Sequence, residues 1–305
     1  MTNSDVDVVG GGGGIGGLAN AYALATEGHS VRVLERAPEF AEVGAGLQLA
    51  PNATRILRDW GLLDEVLAAG VSPRRMVFKD ALDGAVLTHL AFDDAFAQRY
   101  RAPYVVIHRS DLLTILVRAC ERAGVDLVPS CAVEGVSADG DGAVVHSAHG
   151  DHRAELVIAA DGLHSTLRAT LSDDVPICSG YVAYRGAFPV ARLDRRLGRD
   201  ELNDITVYIG PGCHLVHYPL RRGEIFNTVA VFASPAYRRG EQEWGGPEEL
   251  DDAFADACAD VKEGLGSLWR DRRWPMYDRL PIPRWVHGRL ALTGDAAHPM
   301  LQYLA

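Results

Sequence analysis

The sequence predicts an α/β fold, in which a Rossmann-like domain on a parallel sheet is interleaved with a domain of mostly antiparallel sheet. Three observations carry this. The N-terminal stretch has the period of a strand, a glycine turn, a helix and a second strand. Strands then alternate with helical segments to about residue 175. Beyond that point β-rich runs follow one another, separated by glycine, proline and charged turns, before a last strand ends in GlyAsp.

At the N-terminus, Val6, Val8 and Val9 read as a buried strand, Leu18 to Glu27 as a helix, and Val31, Val33 and Leu34 as a second strand. The turn contains GxGxxG in two registers, Gly11, Gly13, Gly16 and Gly12, Gly14, Gly17. The second register places Gly17, Leu18 and Ala21 on the helix face that must lie against the sheet. Glu35 closes the second strand about 20 residues on, where a ribose hydroxyl needs an acceptor. Glycines at the turn let backbone approach a pyrophosphate, and the helix N-terminus meets its charge. A dinucleotide is therefore expected.

The chain has 305 residues, 48% of them hydrophobic, enough for two domains. No run reaches the length of a membrane span, and MTNSDVD has no secretory pattern, so a cytoplasmic protein is expected. Five cysteines without CxxC fit reduced thiols. A net charge of −11 argues against nucleic acid and for a small-molecule partner.

Further along, Pro51 and Asn52 open a helix carrying Ile56, Leu57, Trp60 and Leu63, after a turn with Gly44 and Gly46 that is either loop punctuation or a backbone approach to a flat ligand. Residues 74–92 read as a hairpin. Ser110 and Asp111 start a helix whose buried face is Leu112, Leu116, Val117 and Cys120. Arg109, just before it, is either a surface arginine or a guanidinium reaching a cofactor. Asp161 ends a buried strand at the edge where α/β sheets hold ligands. In the β-rich region, His214 and His217 fall on opposite faces of a strand, which disfavours a metal pair. His214, Val216 and Tyr218 share a face, His214 and Tyr218 about 13 Å apart along it. They either bracket a small ring or are hydrogen-bonded sheet residues. An acidic helix from Pro247 carries Leu250, Phe254 and Ala257 inward. The aromatic cluster after it, from Trp269 to Tyr277, reads as packing.

Three segments, GGGIGGL with VLER, AADGLHSTLR, and RLALTGDAAHPM, resemble the fingerprints of single-component flavoprotein aromatic hydroxylases. HRSDLL, EVGAGLQLAPNA and the aromatic-rich second domain agree, so the resemblance covers nearly the whole chain. It implies FAD bound by Gly12, Gly14 and Gly17, with Glu35 on the adenosine ribose and Arg36 beside it. It further implies Arg109 and Asp295 at the ribityl and pyrophosphate region, Asp161 linked to FAD and NAD(P)H contacts, and Pro299 beside the flavin ring. The corresponding division is a FAD-binding domain at 1–73, 101–177 and 284–305, and a substrate domain at 74–100 and 178–283.

CHLVHYPLR, SGYVAYRG, WGGPEEL, RRWPMYDR and HPMLQYLA look most like the 3-hydroxybenzoate 6-hydroxylases, which make gentisate, with salicylate 1-hydroxylases and 6-hydroxynicotinate 3-hydroxylases as alternatives. The likeness implies NADH or NADPH as reductant, O2 as oxidant by way of a flavin C4a-hydroperoxide, and a phenolic acid as substrate. His214, Tyr218 and Gln302 would line the pocket. His214 is the expected base at the ring hydroxyl, because imidazole titrates near working pH. Gln302 would orient that hydroxyl or the ring, and Tyr218 would bind the carboxylate or stack. The oligomeric state is left open, a homodimer being one outcome. Two departures stand out: Gly10 occupies an apolar strand position, and the family continues past the position of Ala305 with a helix aimed at the flavin, so a truncated, weakly FAD-binding chain is expected. A non-catalytic flavin-binding protein and a conventional NAD dehydrogenase are the competing classes.

Overall fold

The computed structural model describes residues 5–41, 44–193 and 197–302. It divides into two compact units, one of residues 1–43, 112–178 and 277–305, the other of 44–111 and 179–276. The sequence reading groups 44–73 and 101–111 with the first domain, whereas here they cluster with the second unit. The reason is local pairing. Strand Gly46–Leu49 pairs with Val105–His108, and Val71 and Val106 pack with Ile205, Tyr218 and Leu220.

In the first unit, five strands run parallel in the order Leu290–Leu292, Gly150–Ala159, Val6–Gly11, Val31–Leu34 and Asp126–Val128. Their apolar runs are buried, as a covered parallel sheet requires: Val9, Val33, Val157 and Ala159 are fully enclosed. Because all five run the same way, the segments after Gly11, Leu34, Ala159 and Leu292 emerge at one edge. The helix after the glycine turn spans Ile15–Thr26 and buries Gly17, Leu18 and Ala21. Gly10 is buried between Ile158 and Val33, and a Cβ there would meet Val33 at an ordinary 3.6 Å.

The second unit is a seven-stranded sheet. Ile177–Pro189, Ile225–Ala233, Cys213–Leu220 and Ile205–Gly210 are successively antiparallel, and Ile205–Gly210 then runs parallel to Arg75–Asp80 of the predicted hairpin. Val182, Tyr184, Leu215, Ala230 and Phe232 face one side, under Leu250, Phe254, Val261 and Leu265 of the acidic helical segment. Alternation sends His214, Val216 and Tyr218 to the other side.

Two long helices of the sequence reading are each broken. The first becomes Pro51–Asp59 and Leu63–Ala69, because Gly61 has φ +72° and ends the helix; Leu57 is buried and Ile56 is 48% exposed. The acidic one becomes Pro247–Ala253 and Ala259–Leu265, with the Cys258 amide donating instead to Ala81 O. Among the described residues no helix is long and apolar enough to cross a membrane.

Candidate functional site

The carboxyl edge of the parallel sheet gathers the predicted cofactor residues of the first unit. Gly12 has φ +108°, and a Cβ there would stand 2.4 Å from Ala160 O. At Gly17 it would stand 1.9 Å from Gly12 O, so helix and turn touch through backbone alone. Gly14 is the helix N-cap and supplies no side-chain cap; a Cβ at Gly14 or Gly16 would meet nothing within 4 Å. The helix thus presents its first amides, with their partial positive charge, to open space.

Glu35 extends from the next strand towards this turn. Its carboxylate accepts from Gly13 N at 2.6 Å and Ala37 N at 2.8 Å, which fixes it at the rim while leaving lone pairs for a hydroxyl donor. Arg36 is exposed beside it. Across the edge, Asp161 Oδ2 accepts from Thr166 N and Leu167 N, whereas its buried Oδ1 has no hydrogen-bond partner among the described residues. Asp295 is exposed in the turn Gly294–Ala296, and Pro299 is buried nearby in sequence. Open helix amides, a rim carboxylate and an orphaned acid oxygen are what a dinucleotide's phosphates, ribose and further hydroxyls or N–H groups require, so these residues fit FAD.

Sequence reading missed what holds this edge together. Arg168 is fully buried; its Nη1 donates to the carbonyls of Ala296 at 2.9 Å and Ala297 at 2.7 Å, and its Nη2 to Leu280 O at 3.0 Å. Its Nε and Nη2 also clasp Asp174 at 2.8 and 3.1 Å, and Arg279 Nε reaches the same carboxylate at 2.9 Å. The Arg168 guanidinium holds the Asp174 carboxyl down at about 2. The strand end bearing Asp295 is thereby tied to the segment following Asp161. The signal lay in AADGLHSTLR, but nothing in that segment alone names the carbonyls Arg168 serves.

Among the predicted substrate and cofactor residues, Gln302 lies in the first unit and is exposed, while His214, Tyr218 and Arg109 lie in the second. His214 is half-buried, and burial lowers its imidazole to about 4 rather than leaving it near working pH. It is therefore a neutral acceptor across the neutral range. His217 lies on the opposite face, against Tyr208 and Phe226. Tyr218 is 3% exposed; its ring lies where a Gly46 Cβ would be, 2.4 Å from that position, and its hydroxyl is hydrogen-bonded with Gln48, which also accepts from Tyr104 at 2.7 Å. Gly46 is thus a backbone approach to a flat ring, that ring being Tyr218. Arg109 opens helix Arg109–Arg122, its amide donating to Ala45 O.

A cavity of about 530 Å³ lies on the helix-covered side of the second unit's sheet, lined by Arg75, Lys79, Tyr208 and His217 among others. His214 and Tyr218 do not line it.

The family described as FAD binding domain matches residues 3–302. The 3-hydroxybenzoate 6-hydroxylase of Polaromonas naphthalenivorans is 38% identical over 99% of this chain and 75% of its own length. The 3-amino-4-hydroxybenzoate 2-monooxygenase of Streptomyces cremeus is 37% identical, over 100% of this chain and 75% of its own. The structure of Klebsiella pneumoniae HpxO complexed with FAD and uric acid matches with a TM-score of 0.82 at 26% identity, covering 98% of this chain and 75% of that one. The glycine turn, the acid-ended strands and these likenesses agree: the chain belongs to the FAD binding domain family.

Proposed function

We propose that this protein hydroxylates a phenolic aromatic acid, 3-hydroxybenzoate in the first instance, with NADH and O2. The balanced reaction is 3-hydroxybenzoate, NADH, H+ and O2 giving 2,5-dihydroxybenzoate (gentisate), NAD+ and water. The observation that carries this reading is 38% identity along 99% of the chain to a 3-hydroxybenzoate 6-hydroxylase.

When bound, FAD would supply the redox chemistry of hydride acceptance and O2 activation. The chain's own residues bind, orient and handle protons. Gly12, Gly14 and Gly17 would bring backbone amides to the pyrophosphate, Glu35 would accept from the adenosine ribose with Arg36 beside it, and the unpartnered oxygen of Asp161 would accept a further hydrogen bond from the cofactor. Asp295 and Pro299 continue that edge, which Arg168 holds in place. In the second unit, neutral His214 accepts a hydrogen bond from the ring hydroxyl, which raises electron density on the ring for attack on electrophilic oxygen. Tyr218, packed on Gly46 and bonded to Gln48, holds the strand that carries His214. Gln302 hydrogen-bonds the ring hydroxyl or orients the ring.

A second reading, a 3-amino-4-hydroxybenzoate substrate, has its own support in the 37% identity to the Streptomyces enzyme. Product identification after incubation with FAD, NADH and each acid separates the two. Gentisate formed in step with NADH loss supports the first. Turnover of 3-amino-4-hydroxybenzoate alone replaces it, and catechol from salicylate would move the substrate to another hydroxybenzoate. Cytoplasmic location belongs with this reading, since NADH is an intracellular reductant.

A further inference from the structure

We propose that Arg185 is the specificity-determining cation of the second unit, its guanidinium taking the carboxylate of an aromatic acid whose ring lies over Val216 and Val229 beside His214. The inference deepens the proposed function and rests on it for the class of ligand.

Register supplies the placement. Arg185 is opposite Val229, and Val229 is opposite Val216, so the three form one row across strands Ile177–Pro189, Ile225–Ala233 and Cys213–Leu220. Paired residues share a face, here the one turned away from the helices, and His214 is two residues from Val216 on that same face. By strand spacing, Arg185 and Val216 are about 10 Å apart across the sheet, with His214 offset by about 7 Å along it. Val216 and Val229 between them are only half-buried, an apolar floor that solvent still reaches.

Arg185 itself lacks what the enclosed guanidiniums of Arg32, Arg168 and Arg279 have. The Arg32, Arg168 and Arg279 side chains each hold a carboxylate, Asp126 in the first case and Asp174 in the other two. Arg185 is half-buried, its Nε is shut off from solvent without a hydrogen-bond partner, and no carboxylate pairs with it among the described residues. Its described side-chain contact is the face of Trp274, 5.6 Å away. Burial disfavours its charged form; the nearby Tyr218 hydroxyl offsets this in part and the positive charge of Arg109 adds to it. Leaving a desolvated cation uncompensated is costly, and a planar carboxylate is the group that meets a guanidinium with two parallel hydrogen bonds. A ring on the valine floor with its carboxylate on Arg185 would turn its other substituents towards His214. A neutral amide of the same shape would leave the cation unpaired.

The test is calorimetric titration of the purified chain, supplemented with FAD, using two pairs of ligands: 3-hydroxybenzoate against 3-hydroxybenzamide, and salicylate against salicylamide. The wild type is expected to bind at least one acid at least about 30-fold more tightly than its amide, the order for losing one partner of a desolvated charge pair. R185Q should erase that preference while leaving amide affinity within about threefold, and R185K should keep part of it, having charge without the bidentate fork. R185Q that melts as the wild type and retains the acid preference overturns the proposal, as does a wild type with no preference in either pair. If R185Q melts lower, R185K decides: selective weakening of the acid supports the assignment, and equal weakening of acid and amide overturns it. Loss of acid preference in R185Q without hydroxylated product from any acid would refute the proposed reaction and leave the carboxylate site standing.

Discussion

His214 shows how a residue's surroundings redirect its chemistry. An imidazole in water is half-protonated near pH 6.5, but burial lowers this one to about 4. Since the folded-state value is depressed, the neutral form predominates above pH 4, and protonation sets in only as pH falls through that value. A kcat/KM profile measured with a saturating reductant should therefore show no inflection from His214 between about pH 6 and 8. His214→Ala should slow hydroxylation by about 100-fold while leaving FAD affinity within about threefold; equal loss of both, in titration and turnover, would remove it from the role of acceptor to the ring hydroxyl. Asp174 makes the complementary case. Its carboxyl lies near 2, chiefly through Arg168, so its contribution is complete above the ordinary carboxylate range and is lost as pH falls through about 2. Asp174→Asn leaves the enclosed Arg168 without its anion and should cost about 3 kcal/mol in denaturant unfolding at pH 7. That difference should shrink as the wild type is taken towards pH 2.

The glycine turn is the element whose geometry separates folding from binding. Gly17 has no room for a Cβ, with Gly12 O at 1.9 Å, whereas Gly14 has open space in the same direction. Gly17→Ala should thus lower the melting temperature and abolish FAD binding together, because helix and strand must part. Gly14→Ala should melt only slightly below the wild type, Ala being the poorer N-cap, and weaken FAD far more, since a methyl group would stand where the pyrophosphate approaches. Thermal melts with and without FAD check both; an unchanged FAD affinity for Gly14→Ala would place the phosphate elsewhere. The strands of both units were legible in the sequence because alternation or continuous apolar runs, bounded by glycine and proline, say so directly. The long helices were not. Gly61 reads as a tolerated helical glycine until its φ of +72° is seen, and the break before Ala259 follows from an amide drawn to Ala81, a partner 177 residues away (258 − 81).

At the scale of the whole chain, one fold brings to the edge of a parallel sheet residues as distant as Gly12, Glu35, Asp161 and Asp295. Their identities were readable as motifs. The two arginines that give the units their chemical character were not, because a guanidinium's meaning depends on what stands opposite it. Arg168 finds carbonyls more than a hundred residues away, at Ala296 and Ala297, and Arg185 finds no carboxylate among the described residues. Flavin-dependent insertion of one oxygen atom from O2 into a phenolic acid is the activity that all of this serves. Turnover of 3-hydroxybenzoate with FAD and NADH under 18O2, read by mass spectrometry, tests it most directly. Gentisate carrying a single 18O in its new hydroxyl is the expected product. Product without the label, or flavin-bound protein that oxidises NADH without altering the ring, would contradict it.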